Sequence, residues 1–284
     1  MKTFSKRPDE TSHERIACPV CDGWLFKKKW ILDEYTFSRC TGCGLLLQNP
    51  QPRSSELVQR YDEEYFAYER ENESQFFQLM LLGLRDVGFF SDVEPILESS
   101  GIKRSFLDIG CATGRLLEYM KQRGWQEKGV EVCVPAALYA RDERGLDISI
   151  CTLEEAGLEE ASFDIIHASH LIEHLTRPDE FVRELYKVLK PGGRVFLTTP
   201  NCSGMQALLF GKAWRSAIAD HMFLFSRLTL SRLLEKYGFT IEGVKTWGGI
   251  AAGMAPRPIK RILDRLVKKI GWGDVMIIRA RKPV

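Results

Sequence analysis

The segment 106-FLDIGCATGRLLEYM-120 decides the fold. An apolar run ends in Asp108, glycines follow at 110 and 114, and an amphipathic stretch begins at Arg115. That order reads as strand, tight turn and helix. Gly110 permits the turn, and Gly114 lets the helix start close to a ligand. No G-K-[ST] follows, so this is not a phosphate-cradling Walker loop. Nor is it G-x-G-x-x-G, which disfavours a nicotinamide dinucleotide.

Outward from this segment the chain keeps alternating strand and helix. KGVEV (128–132), DISI (147–150), FDIIHAS (163–169) and RVFLTT (194–199) read as strands, and PAALYARDER (135–144) as a helix opened by proline. Between the last two strands, RPDEFVRELYKVLKPGG (177–193) puts Phe181, Val182, Leu185, Val188 and Leu189 on one helical face, and a Pro-Gly-Gly stop follows. Such alternation predicts an α/β domain, a doubly wound parallel sheet covered on both faces. Ligands in such sheets bind outside the carboxyl ends of the strands. Glu131 ends the second strand, 21 residues after Gly110, where a carboxylate can accept from both hydroxyls of a ribose.

Four ordered motifs carry a resemblance: FLDIGCATGRLLEYM, GVEVCVPAALYA (129–140), FDIIHASHLIEHL (163–175) and VLKPGGRVFLTTPN (188–201). Together they resemble the class I S-adenosylmethionine-dependent methyltransferases over about residues 105–250. The segment 209–239 resembles the part of that family that follows the fifth strand. The resemblance implies a Rossmann-like sheet of seven strands, with FTIEGVKTW (239–247) and DVMIIRARKP (274–283) as a reversed last hairpin. It implies S-adenosyl-L-methionine as cofactor, with Asp108, Gly110, Cys111 and Gly114 on its aminoacyl and ribose side, Glu131 on the ribose, Val132, Thr152 and Leu153 near adenine, and Ser169 at the pocket. Many relatives carry Asp where Thr152 stands, and a glycine where Ala112 stands.

HASHLIEHL (167–175) crowds three histidines and a glutamate after the fourth strand. His170-Leu-Ile-Glu-His174 matches H-x-x-E-H, the signature of inverted zinc proteases. That reading fails on context, because the first histidine closes a strand rather than sitting on a helix. Methyl transfer needs alignment and, for a hydroxyl or acidic carbon, a base. His170 is the first choice for that base and His221 the second. Glu173 and His174 are expected to open the next helix and organise the loop, and His167 to pack within its strand. Some quinone O-methyltransferases of the family hold a divalent cation with E-x-x-E-H here; His170 replaces the first Glu and removes a hard oxygen ligand.

The cysteines fall into two groups. Cys18, Cys21, Cys40 and Cys43 form C-x2-C-x18-C-x2-C, the spacing of a structural zinc site that four thiolates close completely. WLFKKKWILDEYTFSR (24–39) is expected to form a hairpin between the knuckles, and its lysine run is a solvated face or a small phosphate-attracting patch. Cys133, Cys151 and Cys202, like Cys111, lack ligand spacing and read as small buried residues. The ribbon resembles that of sugar C-methyltransferases and of polysaccharide or secondary-metabolite methyltransferases.

The expected organisation is a zinc ribbon at 1–55, a helical linker or lid at 56–104 and the methyltransferase domain at 105–284. Net charge is only +2, giving no general case for nucleic acid; residues 255–284 hold nine basic against two acidic side chains. Their basic amphipathic helix, 258–272, is expected to pack on its own domain, with peripheral contact to an anionic membrane as the alternative. Neither a signal peptide nor a spanning segment is visible, which points to the cytoplasm. The leading expectation is methyl transfer to an O or C nucleophile of a small-molecule acceptor, a sugar, glycan or related metabolite. Alternatives are a ribosomal-RNA methyltransferase that uses the ribbon for RNA contact, a quinone-type O-methyltransferase, and a non-catalytic binding module.

Overall fold

The computed structural model describes residues 13–32, 34–52, 62–99, 101, 103–249 and 257–284, without the side chains of 257–259 and 261–263. In chain order the strands are β1 (His13–Glu14), β2 (Phe26–Ile31), β3 (Thr36–Cys40), β4 (Leu46–Gln48), β5 (Gln51–Pro52), β6 (Ser105–Ile109), β7 (Gln126–Glu131), β8 (Ile148–Ile150), β9 (Phe163–Ser169), β10 (Leu189–Pro200), β11 (Phe223–Leu224), β12 (Thr240–Trp247) and β13 (Val275–Arg281). The helices are α1 (Glu63–Asp86), α2 (Glu94–Ser99), α3 (Arg115–Gln122), α4 (Val134–Leu138), α5 (Pro178–Val188), α6 (Met205–Phe210), α7 (Arg227–Lys236) and α8 (Arg257–Ile270).

Seven strands make the main sheet, in the order β12-β13-β10-β9-β6-β7-β8. β6 pairs in parallel with both β7 and β9, and β9 with β10, whereas β13 is antiparallel to β10 and to β12. This is the expected Rossmann-like sheet with its reversed hairpin. The chain winds from β6 outward through β7 and β8, then returns to β9 on the other side. The crevice between β6 and β9 is therefore the topological switch point, where such sheets bind ligands. β6 is buried at every position, as a central parallel strand covered on both faces must be. On one face, α5 buries Phe181, Val182, Leu185 and Val188, each contributing roughly 1.5–3 kcal/mol of transfer free energy. On the other, Phe89, Phe106, Trp125 and Phe196 pack edge to face.

Residues 63–86 form one continuous helix, because the run contains no proline and a single glycine, Gly83. Asp62 caps its start by accepting from the Glu64 and Tyr65 N–H groups, and Gly88, at φ +83°, turns the chain away at its end. Residues 56–61, the start of the expected helical linker, lie outside the described residues.

The N-terminal hairpin forms as expected, β2 pairing with β3 and β3 with β4. Its fourth strand comes from elsewhere: β11 pairs antiparallel with β4, completing the sheet β11-β4-β3-β2. Cys18, Val20, Cys40, Leu45 and Leu47 belong to the same apolar cluster as Phe181, Phe223 and Met276.

α8 lies between β12 and β13 in the chain. Val267 is buried, while Leu266 and Ile270 are half exposed, so its packing is confined to part of its apolar face. Among the described residues, no helix is long and apolar enough to cross a membrane.

Candidate active site and metal centre

The cysteine ligand set is brought together. Cys18 and Cys43 sulfurs lie 3.4 Å apart, as do those of Cys21 and Cys40, and all four fall within 4.8 Å of one another. Zinc with sulfur bonds of about 2.3 Å sets tetrahedral edges of about 3.8 Å, so the cage fits that ion. Backbone N–H groups of Val20 and Cys21 point at the Cys18 sulfur, and those of Gly42 and Cys43 at Cys40. Burial opposes the Cys40 thiolate, yet those donors and the Cys21 thiol bring its pKa to about 7; burial pushes Cys43 up to about 11. Bound zinc would hold all four as thiolates. Of the remaining cysteines, Cys111 and Cys133 are buried as expected, whereas Cys151 and Cys202 are half-buried.

The cofactor-side residues converge at the carboxyl ends of β6 and β7. Asp108 is buried and bonded to His167 Nδ1 at 2.7 Å. Far from being mere packing, His167 is thus the partner of the motif aspartate, and its Nε2 is buried with no hydrogen-bond partner among the described residues. Glu131 is also buried; its Oε2 accepts the Ala112 N–H at 2.8 Å and its Oε1 the Cys133 N–H at 2.8 Å. This carboxylate therefore ties the β6 turn to the start of α4. Burial raises its pKa against those backbone donors.

Two of the expected cofactor residues are also tied to core packing. A Cβ at Gly114 (φ +74°) would meet Leu146 Cδ1 at 2.5 Å and Ala140 Cβ at 2.9 Å, so its smallness serves core packing beneath the turn. Cys111 likewise turns its sulfur into the core, 2.8 Å from where a Gly129 Cβ would stand, leaving only backbone to the crevice. A Cβ at Gly110 would touch the Leu171 side chain at an ordinary 3.6 Å, so its positive φ of +69°, and not a lack of room, is what calls for glycine at this turn. Leu153 is buried and Val132 half-buried, while the Thr152 hydroxyl is engaged with Glu155 at 3.1 Å. Ser169 ends β9, half-buried, paired with Thr198 of β10.

On the opposite rim, His170 follows β9 in the left-handed region at φ +53°, its side chain 49% exposed. Its N–H donates to the Thr198 carbonyl at 2.8 Å, and its Nδ1 meets Glu173 Oε1 at 3.1 Å. Glu173 is fully buried and accepts from Thr199 Oγ1 at 2.9 Å through its other oxygen. Burial would raise this carboxyl, but the His170 hydrogen bond and the nearby His170, His174 and His221 hold it at about 2. Glu173 and His174 do not start a helix; they sit in a turn ahead of Pro178, because α5 begins only at that proline.

His221 is buried, 4.7 Å from the His174 ring, with its Nδ1 on the Ser216 carbonyl. His174 Nδ1 engages the Asp220 carbonyl at 3.0 Å. Burial lowers the His221 pKa to about 3, with His174 adding to the shift, so this imidazole stays neutral. Glu173, His174 and His221 bring their ligand atoms within 4.8 Å, although both Glu173 oxygens are already taken by His170 and Thr199. Of the aromatics after the fifth strand, Trp214 and Phe223 are buried, with the Trp214 indole N–H donating to Asp274, while Phe210 is exposed.

Three residues outside the sequence-derived set enter the site. Thr199 fixes Glu173 from β10. Gln48, from the ribbon, donates to the carbonyls of Ala219 and His221 at 2.8 and 2.9 Å. Glu69, on α1, has its carboxyl pushed up to about 7 by burial, with Glu131 adding to the rise and His170 opposing it. Nothing in local periodicity marks them, since each reaches the site only through tertiary packing.

The family model described as "Methyltransferase domain" matches residues 77–244. The mitochondrial ubiquinone biosynthesis O-methyltransferase of Mus musculus is 35% identical over 161 residues, covering 51% of this chain and 43% of that protein. The ubiquinone biosynthesis O-methyltransferase of Idiomarina loihiensis is 35% identical over 104 residues, covering 34% of this chain and 43% of the relative. These matches thus span less than half of either relative's length. An S-adenosylmethionine-dependent methyltransferase structure from Archaeoglobus fulgidus superposes with TM-score 0.54 at 20% identity, covering 77% of this chain and 99% of that one. Motif order, sheet topology and the family match agree: the chain belongs to the methyltransferase domain family, with the class I fold of S-adenosylmethionine-dependent enzymes.

Proposed function

We propose that this protein transfers a methyl group from S-adenosylmethionine to an oxygen nucleophile of a small molecule, a phenol or catechol of the quinone-precursor type. The ubiquinone biosynthesis relatives favour this acceptor over the sugar or glycan that the ribbon alone led one to expect. The observation that carries the oxygen-acceptor reading is the His170–Glu173 pair. An ionised, fully buried carboxylate on Nδ1 fixes the ring and leaves Nε2 as the proton acceptor at an exposed rim.

Bound S-adenosylmethionine supplies a methyl already activated by its sulfonium. The chain's own part is to hold, align and deprotonate. Two buried carboxylates, Asp108 and Glu131, stand at the strand ends with no lysine or arginine on them among the described residues, as a site for ribose hydroxyls and an aminoacyl ammonium requires. His167 holds Asp108, and Glu131 holds the turn at Ala112. His170 Nε2 takes the acceptor's hydroxyl proton, Glu173 stabilises the imidazolium that forms, and Thr199 keeps Glu173 in place. His174 and His221, both tied to backbone carbonyls through Nδ1, line the buried side of the same loop.

Labelled S-adenosylmethionine offered with phenolic, quinol, glycan and RNA pools tests the acceptor. Label is expected in the phenolic or quinol pool; label confined to glycan or RNA would sink this reading. His170→Ala should lower turnover by roughly 10²–10⁴ while leaving cofactor affinity within about twofold. Equal loss of both would make His170 structural.

A further inference from the structure

Two buried glutamines at the end of the ribbon reach across to the loops that carry the histidines. Gln48, on β4, is 3% exposed, and its side-chain N–H₂ donates to the carbonyls of Ala219 and His221 at 2.8 and 2.9 Å. Its backbone N–H donates to the Met222 carbonyl at 2.9 Å. Gln51, on β5, is fully buried and donates to the Thr176 carbonyl at 3.1 Å. Its Oε1 is buried with no hydrogen-bond partner among the described residues, so within that set this amide serves only as a donor.

The carbonyls they hold belong to two loops that are bonded to each other. The N–H groups of Met222 and Phe223 both donate to the Glu173 carbonyl, at 2.8 and 3.1 Å, and His174 Nδ1 engages the Asp220 carbonyl at 3.0 Å. The turn from Glu173 to Thr176 is therefore tied to the ribbon at both ends, directly by Gln51 and through residues 219–223 by Gln48. One amide group serves two carbonyls only while both stay within a few tenths of an ångström of their places. The side chain at the head of this turn, Glu173, is the one bonded to His170.

We propose that Gln48 and Gln51 are positioning residues for the acceptor half of the reaction: the ribbon clamps the Glu173–Thr176 turn and so sets the His170 ring against the acceptor hydroxyl. The assignment rests on the proton-accepting role given to His170 above, and it makes the ribbon a working wall of the site rather than a docking platform. A misplacement of about 1 Å at a reacting group costs on the order of 100-fold in rate. Loss of one neutral hydrogen bond changes a folding equilibrium by only roughly two- to tenfold. The clamp therefore acts on turnover more than on stability. Gln51 sharpens that separation, because methionine at this position removes an unmatched buried oxygen together with the donor, and the first gain offsets part of the second loss.

Gln48→Met, Gln51→Met and the double variant, made in the full chain, test this. The measurements are urea midpoint, donor affinity by calorimetry, turnover on a phenolic acceptor and amide hydrogen exchange. Gln48→Met should lower turnover roughly 30- to 100-fold and Gln51→Met roughly three- to tenfold, with the double variant short of their product and donor affinity within about twofold. Exchange at Met222 and Phe223 should quicken by about tenfold while that of β6 and β7 is unchanged. Gln48→Glu keeps the shape but sets a carboxylate against two carbonyls, and should be at least as slow as Gln48→Met. Wild-type turnover in Gln48→Met, equal losses of turnover and donor affinity, or turnover that merely follows the urea midpoint would overturn the assignment alone. A fully active His170→Ala would instead overturn the reading on which the assignment rests.

Discussion

The two rims of the crevice are built in different ways. The rim proposed for the cofactor takes both of its carboxylates from one run of chain, residues 105–133: Glu131 is fixed locally by Ala112 and Cys133, and the one distant support is His167, which holds Asp108 from the neighbouring strand β9. The rim proposed for the acceptor is assembled from four separate segments. His170 and Glu173 follow β9, Thr199 comes from β10, His221 from the loop before β11, and Gln48 from the ribbon. A rim that is local in sequence tolerates change elsewhere, and one gathered from afar depends on everything that supports it.

Metal loss is the most severe way to probe that difference. Structural zinc contributes on the order of 10 kcal/mol to small zinc-bound folds. Cys40→Ser in the full chain should abolish stoichiometric zinc and lower turnover by roughly a thousandfold or more, because Gln48 can no longer hold the His221 loop. Cofactor affinity, measured by calorimetry, should change by less than about threefold. Parallel loss of both would mean that the rims are one cooperative unit.

Glu131→Gln probes the other rim. A carboxamide turns an N–H₂ toward one of two backbone donors, leaving a buried donor unmatched. Cofactor affinity should fall roughly ten- to a hundredfold, while turnover at saturating cofactor stays within about threefold. A collapse of turnover at saturation would place Glu131 in the chemistry rather than in binding.

The smallest effect has opposite sign on the two sides. His221 has a folded pKa of about 3, below its unfolded value of 6.5, so the unfolded chain alone takes up its proton as pH falls. Its contribution is complete above pH 6.5 and is lost toward pH 3, amounting to about 2 kcal/mol between pH 7 and pH 5. Glu69, raised to about 7, works the other way: the folded state holds its proton longer, and stability from it is lost as pH rises through 7. Urea midpoints at pH 7 and pH 5 should show a shallow net slope in the wild type, a gain at pH 5 in His221→Gln, and an added loss at pH 5 in Glu69→Gln. Identical slopes in all three would mean that neither group titrates as placed.

The same contrast explains what the sequence made legible. The strand–helix alternation and the apolar face of α5 follow from periodicity and the cysteine cage from spacing, because each is a local pattern, whereas the reversed hairpin came from the resemblance to the family. Asp108 and Glu131 were equally visible, sitting where strands end. The packing that requires smallness at Gly114 and buries the Cys111 sulfur was not legible, since a glycine needed for packing looks the same in sequence as one needed for approach. His167 read as a packing residue because only the β6–β9 register, Asp108 opposite His167, brings the pair together. Glu69, Thr199 and Gln48 were invisible for a similar reason: their partners lie 26 or more residues away.

The strand β11 carries a consequence for how the protein is made. The ribbon's sheet draws residues 26–48 from the start of the chain and residues 223–224 from far beyond. During synthesis the cysteines emerge first and can close around a metal, yet the free edge of β4, with Leu46 and Leu47, awaits a partner some 175 residues later. An unpaired strand edge invites pairing with other chains. The ribbon is therefore not a transplantable cassette: excised, it would keep its metal ligands and lose a quarter of its strands.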